Sequence, residues 1–269
     1  MTRDLPPGLA TDVAVLEHSG SLVEDRGDHL IVRTPSNPTF HWGNCLLVTD
    51  AEAVADAGRW TTAFAEAFPR ATWIAIGLVA MPQERAAWAA QGLGLELDDV
   101  LVTTVVPRTG PLPAGYVARE LRTDDDWEQH IARELRDNAD HEPVSHERFT
   151  RARTDSQRAL TERGDAAFFG AFEDTALVAD LGIVRCDDVA RFQAVGTDAD
   201  HRRRGLASHL LGLAASWAAD QGCREWVIVT EATNPAGRVY RAAGFELADA
   251  TVQAYRAPGA RASGDGAAH

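Results

Sequence analysis

The sequence predicts an α/β protein with mixed sheets, built as two similar modules. Three observations predict this. Strand-length apolar runs alternate with stretches of helical periodicity in both halves of the 269-residue chain. A pattern recurs at an offset of 153 residues, matching Trp73 with Trp226, Pro82 with Pro235 and Arg85 with Arg238, while Gly92 falls one residue past the match to Gly244. Residues 107–115, PRTGPLPAG, hold three prolines and two glycines, the strongest linker signal in the chain. The expected division is therefore a first module over 1–110, a second over 115–256 and a small-residue tail, expected to be disordered, over 257–269.

In the first module, residues 34–44 (TPSNPTFHWGN) read as a loop with packed aromatics, structural in purpose. A helix is predicted to begin within 50–58 (DAEAVADAG), followed by the strand 72–79, a short helix, Gly92 and a second strand-like run. The second module repeats that order with more elements before it. A strand near 116–121 leads to a helix over 124–138, with Thr123 as its N-cap and three aspartates complementing its own dipole. A second helix is predicted over 145–163, capped by Ser145, and strands over 167–173, 176–185 and 189–197. An amphipathic helix over 203–220, with Leu206, Leu210, Leu213 and Trp217 on one face, precedes a strand at 225–230, a short helix at 235–243 and a terminal strand region at 245–256.

Composition excludes several functions. The net charge is −14, and residues 1–110 carry 7 arginines against 14 acids while 111–269 carry 19 against 26, so neither part has the basic excess of a nucleic-acid module. All 26 basic residues are arginine, which rules out a lysine Schiff base or lysine general base. No apolar run reaches membrane-span length and no signal peptide opens the chain, so no membrane partner is expected. Cys45, Cys186 and Cys223 are scattered and odd in number, as expected of reduced thiols in a cytoplasmic protein.

The densest positive cluster, Arg202, Arg203 and Arg204, stands at the start of a predicted helix, where the macrodipole and unpaired N–H groups favour anions and disfavour cations. A bound anion resolves the conflict, and a diphosphate fits it best. Gly205 lets a ligand approach the backbone, Ala207 and Ser208 keep the first turn slim, and Ser208 adds a hydroxyl donor. The alternative is a solvated patch paired to Asp198 and Asp200.

The spacing Arg202-x-x-Gly205-x-Ala207 after a strand resembles the acyl-CoA loop of the GNAT superfamily of N-acyltransferases. Downstream, 234–245 (NPAGRVYRAAGF) resembles the family's second signature, an Asn, a short helix bearing a tyrosine, then Gly-Phe. The resemblance covers about 116–256, and the first half looks like a degenerate copy without the arginine turn, implying a tandem arrangement of mixed, largely antiparallel twisted sheets flanked by helices. It implies that the fourth and fifth strands of the module splay around the pantetheine arm of acetyl-CoA. Amides of Arg203, Arg204, Gly205, Leu206 and Ala207 would then hold the diphosphate. The strand from Gln193 to Thr197, including Ala194 and Val195, would pair with pantetheine amides; Asn234 would contact the arm, and Tyr240 would lie near the thioester sulfur.

Acetyl transfer to a primary amine needs a neutral amine, a donor for the oxyanion and a proton for the departing thiolate. Tyr240 is the candidate acid. For the base, the strand 189–197 offers neither acid nor histidine, so Glu231 is the nearest candidate, with His141, Glu142, a water chain or an acceptor that binds already neutral as alternatives. Attack is expected to be direct, in a ternary complex, because no cysteine or serine is placed to carry the acyl group. No metal is expected: His141 and His146 are five apart with Pro143 between them, which defeats a two-histidine helical zinc site. His201 could reach a phosphate, and His209 reads as a partly exposed helix residue. The expected partners are acetyl-CoA and an amine acceptor, with the protein a monomer or homodimer. A non-catalytic acyl-CoA sensor, and a partner-binding protein whose copies have both lost the cofactor, are the rival readings.

Overall fold

The computed structural model describes residues 5–137 and 143–259. His141 and Glu142, and all but the first three residues of the expected tail, lie outside the described residues. The described chain divides into two compact units, one formed by 5–100, 231–233 and 249–259, the other by 101–230 and 234–248.

The first unit opens with helix α1 (Pro7–His18) and strands β1 (Leu22–Asp25), β2 (His29–Arg33) and β3 (Cys45–Val48). Helix α2 (Ala57–Ala67), strand β4 (Ile74–Leu78) and the short helix α3 (Arg85–Ala90) follow. The helix expected to begin within 50–58 starts only at Ala57, because the Asp56 carboxylate caps it by accepting from Arg59 N at 2.9 Å, and the preceding residues Ala53–Ala55 form a single 3₁₀ turn. Two buried indoles pin that turn: Trp60 Nε1 donates to Ala53 O at 2.7 Å and Trp88 Nε1 to Val54 O at 3.1 Å. β1, β2 and β3 pair antiparallel, β3 and β4 parallel. The fifth strand of this unit comes from the far end of the chain. β11 (Glu246–Arg256) pairs antiparallel with β4 from Val252↔Leu78 to Arg256↔Ile74, whereas the sequence placed all of 245–256 in the second module. The segment 34–44 is a hydrogen-bonded loop with packed aromatics. Asn44 accepts from Thr34 N and donates to Asn37 O and Phe40 O, while His41 stacks on Trp73 and bonds Tyr255 Oη at 2.7 Å.

Strand β5 (Gly94–Thr103) carries the chain into the second unit, which contains β6 (Tyr116–Glu120), α4 (Asp124–Asp137), α5 (Pro143–Glu162), β7 (Ala166–Glu173), β8 (Ala176–Cys186), β9 (Val189–Thr197), α6 (Leu206–Asp220), β10 (Glu225–Glu231) and α7 (Ala236–Ala242). Its sheet runs β10-β9-β8-β7-β6, with β9 and β10 parallel and the remaining pairs antiparallel. Tight hairpins join β7, β8 and β9, and Asp174 (φ 53°) and Asp187 (φ 58°) supply the left-handed turn residues that such hairpins demand.

Strand alternation sorts side chains onto two faces. Ala167, Phe169 and Ala171 of β7 and Ala179, Leu181 and Ile183 of β8 pack with Leu206, Leu210, Leu211, Ala214 and Ala218 of α6. The intervening Phe168 meets Trp127 and His130 of α4 on the opposite face. A capping box starts α4. Thr123 Oγ1 accepts from Asp126 N at 3.1 Å, and the Asp126 carboxylate accepts from Thr123 N at 3.0 Å and Arg122 N at 2.9 Å. The third aspartate therefore does more than complement the dipole. It also takes a two-pronged ion pair from Arg119 at 2.7 and 2.8 Å, and that guanidinium holds its carboxyl well below the usual carboxylate range. Helix α5 begins at Pro143 rather than after Ser145: proline at a first helical position has its φ already set, and Ser145 lies within the first turn.

Candidate functional site

The site is built where β9 and β10 part. Their parallel pairing runs only from Val189↔Glu225 to Arg191↔Val227. Beyond it, β9 continues to Thr197 with no ladder on its β10 side among the described residues, so the backbone groups between Phe192 and Thr197 that face away from β8 form an open edge. On its other side β9 bulges. Gly182 faces Gln193 and Asp180 faces Gly196, so Ala194 and Val195 stand opposite the single residue Leu181, and Ala194 takes φ 48°. A left-handed alanine is costly, and here it re-aims the edge that includes Ala194, Val195 and Thr197.

That strand is backed by a buried ionic cluster on its α4 side. Arg133, 1% exposed, pairs with the fully buried Asp180 at 2.5 Å, and Asp180 also accepts from or bonds His130 Nδ1 at 2.8 Å. Gly196 is required by this arrangement, since a Cβ there would lie 2.3–2.7 Å from the Arg133 guanidinium.

The chain then makes one 3₁₀ turn (Ala199–His201) and enters the arginine turn. Helix α6 begins at Leu206, not near 203, because Arg203 (φ 61°) and Gly205 (φ 85°) are both left-handed and Arg204 between them is not. The arginines therefore sit in a loop ahead of the helix rather than in its first turn. Such alternation turns successive N–H groups into one concavity, an anion nest, which runs directly into the helix N-terminus. The amides of Arg203 through Ser208 find no acceptor among the described residues, and no side chain caps the helix. Nor do the three guanidiniums find a carboxylate there. Arg202 Nε donates to Thr197 O at 3.0 Å, and Arg204 donates to Tyr116 Oη at 2.6 Å and to Asp200 O at 2.9 Å, while Arg203 makes no bond. The pairing to Asp198 and Asp200 carboxylates that would have made this a neutralised patch is not formed; Asp198 takes Arg136 instead, at 3.2 Å. Leu206 is 1% exposed and anchors the turn in the core, and Ala207 and Ser208 are half-buried.

Tyr240 lies on α7 and is 5% exposed within the same core as Leu206 and Phe192. Burial pushes its hydroxyl up to about 12. Asn234 precedes that helix. Its side-chain oxygen accepts from Ala236 N at 2.9 Å, which commits the oxygen to starting α7 and leaves the amide nitrogen unbonded among the described residues. Glu231 ends β10 and is exposed, among the residues of the first unit, where its charge helps burial raise the Asp98 carboxyl. Among the described residues no group of three His, Cys, Asp or Glu side chains is placed to hold a metal, and no helix is long and apolar enough to cross a membrane. All three cysteines are buried and none is in a disulfide.

Sequence reasoning missed Tyr116, Arg133 and Asp180. Tyr116 reads only as the first residue of a strand, and Arg133 and Asp180 as ordinary polar residues; their partnership spans 47 positions and leaves no local signal.

Comparison with known proteins bears on the fold. Residues 125–245 match the model of the acetyltransferase (GNAT) family. No curated protein matches the chain. Among solved structures, the chain is similar to a GCN5-related N-acetyltransferase from Kribbella flavida, at 18% identity and TM-score 0.68, with 93% of this chain and 95% of that one covered. It is similar to a GCN5-related N-acetyltransferase from Sphaerobacter thermophilus at 17% identity and TM-score 0.60, covering 93% and 91%. A tandem GNAT protein from the clavulanic acid biosynthesis pathway aligns at 17% identity and TM-score 0.55, covering 90% and 87%. At these identities the structures establish the fold. With the splayed strands, the bulge and the cationic turn all inside the matched stretch, residues 125–245 of this chain are a domain of the acetyltransferase (GNAT) family.

Proposed function

We propose that the protein is an acetyl-CoA-dependent N-acetyltransferase that acetylates a primary amine by direct attack, with its working site in the second unit. One observation carries the reading: among the described residues, three guanidiniums that meet no carboxylate and the amides of Arg203 through Ser208, which meet no acceptor, come together on one turn. A diphosphate supplies both the charge and the acceptors. The amides of Arg203, Arg204, Gly205, Leu206 and Ala207 would hold it, with Arg202 and Ser208 at its margins. The open edge of β9, from Ala194 and Val195 to Thr197, would pair with the pantetheine amides and offer an N–H to the developing oxyanion, and the free amide nitrogen of Asn234 would bond the arm.

In the reaction the amine nitrogen bonds the thioester carbonyl carbon and the oxyanion forms. The carbon–sulfur bond then breaks, Tyr240 gives its proton to the leaving thiolate, and the amine proton passes to a base. A lysine-like amine is neutral at pH 7 only at a cost of roughly 4.6 kcal/mol, so a desolvated pocket or a base must offset much of that. Glu231 is one candidate base, with His141, Glu142, a water chain or an acceptor that binds already neutral as the alternatives.

The burial of Tyr240 favours a second reading, an acyl-CoA-binding protein that turns nothing over. A hydroxyl held at about 12 parts with its proton reluctantly. Thiol release separates the two. With acetyl-CoA and a pooled set of amines, the enzyme releases CoA, and Tyr240→Phe lowers turnover at least about a hundredfold while CoA binding stays within threefold. CoA binding without turnover across the pool supports the sensor and overturns the enzyme.

A further inference from the structure

The segment ahead of β6 is not a loose connection. Residues 109–111 lie along the first turns of α6: a Cβ on Gly212 would come within 2.3–2.5 Å of Thr109 Cα, Oγ1 and N, and a Cβ on Gly110 would come within 3.3 Å of Ser208 Cβ. His209 Nδ1 bonds Gly110 O at 2.7 Å. This strap delivers Tyr116, 9% exposed, to the arginine turn. There its hydroxyl meets Arg204 Nη1 at 2.6 Å and His201 Nδ1 at 3.0 Å, with the two rings edge to face at 5.9 Å.

The direction of the first of these bonds is fixed by chemistry. A guanidinium has donors and no acceptor, so Tyr116 Oη accepts from Arg204. The tyrosine hydrogen is then available to His201 Nδ1 at 3.0 Å, and in that arrangement Nδ1 accepts and the ring proton sits on Nε2. Arg204, whose second nitrogen is held by Asp200 O at 2.9 Å, is kept at a fixed place beside the amide nest instead of ranging through solvent.

We infer that Tyr116 is the positioning residue of the phosphate turn. One hydroxyl orders the Arg204 guanidinium and sets the His201 tautomer so that Nε2–H is the outward donor, and both serve the diphosphate of the CoA ligand. This rests on the CoA reading given above. It assigns the turn's preorganisation to the strap and Tyr116, outside the loop motif itself.

The test uses the full chain and Tyr116→Phe, which keeps the ring and removes the hydroxyl. CoA and dephospho-CoA are titrated calorimetrically, and the His201 ring is read by nitrogen NMR, assigned with His201→Gln. The parent should show the Nε2–H tautomer, and the variant a mixture. A hydrogen bond to a charged group predicts a loss of about tenfold or more in CoA affinity, equal for dephospho-CoA because the diphosphate is common to both. Affinity within twofold of the parent, an unchanged His201 spectrum, or a loss confined to CoA overturns the inference while leaving the cofactor reading intact. A parent that binds neither ligand overturns the cofactor reading and this one with it.

Discussion

Substituting Gly205 isolates the contribution of backbone geometry to the turn. The residue adopts φ 85° and ψ 1°, and the nearest atom to an added Cβ is Pro111 O at 4.0 Å, so Gly205→Ala meets no clash. Its cost is conformational, about 1–2 kcal/mol for an L-residue in the left-handed region. If the turn holds its shape, that cost appears as lower stability in the free protein. If it relaxes, the amides turn away and the ligand must restore them, which lowers CoA affinity by about 5- to 30-fold (1.36 kcal/mol per factor of ten). Calorimetric titration with CoA, paired with thermal denaturation of the free variant, apportions the two. Gly205→Asn should recover most of the loss, because asparagine visits this region cheaply. Arg203, left-handed at φ 61°, provides the mirror experiment: Arg203→Gly should raise stability by up to about 1 kcal/mol while weakening CoA through the lost charge. A Gly205→Ala variant that keeps both the parent's stability and its affinity would refute the claim that the left-handed turn builds the nest.

Gly212→Ala forces a methyl onto the Thr109 backbone; it should lift the strap and weaken CoA binding several-fold, although alanine favours the helix by about 1 kcal/mol. Burial of Tyr240 makes stability fall with alkalinity. Its folded value of about 12 lies above the ordinary 10.0, so its contribution is complete below pH 10 and lost as pH rises through 12, on the order of 3 kcal/mol in all. Tyr255 and the buried Cys45 thiol shift the same way, so the readout is the difference between the parent and Tyr240→Phe across pH 9–12. Asp126→Asn should cost about 1–2 kcal/mol at neutral pH, allowing for the exposed side of Arg119. Because the native carboxyl is held down, that gap persists above the ordinary carboxylate value and closes as pH falls toward the folded one, measurable by denaturant unfolding between pH 2 and 7.

The second unit was the more legible of the two, for local reasons. Strand β9 reads correctly to the residue because the Asp187–Asp188 hairpin turn bounds its start and the charged 3₁₀ turn after Asp198 its end, and α4 because its cap and acidic first turn are adjacent in sequence. The start of α6 was placed too early because periodicity counts residues, while the left-handed Arg203 has no signature in residue type. The order of β–short helix–β repeats in both halves, yet the partner of β11 could not be read: strand pairing over such a separation is decided by the sheet and not by the strand. The anion turn was visible as a charge in the wrong place. The tyrosine that orders it, 88 positions from Arg204, was not.

The most direct test of the account is a crystal structure of the full chain with CoA bound. The account predicts diphosphate oxygens within hydrogen-bond distance of the amides of Arg203 through Ala207 and the pantetheine arm along the unpaired edge of β9. A diphosphate bound elsewhere, with those amides facing solvent, would contradict it.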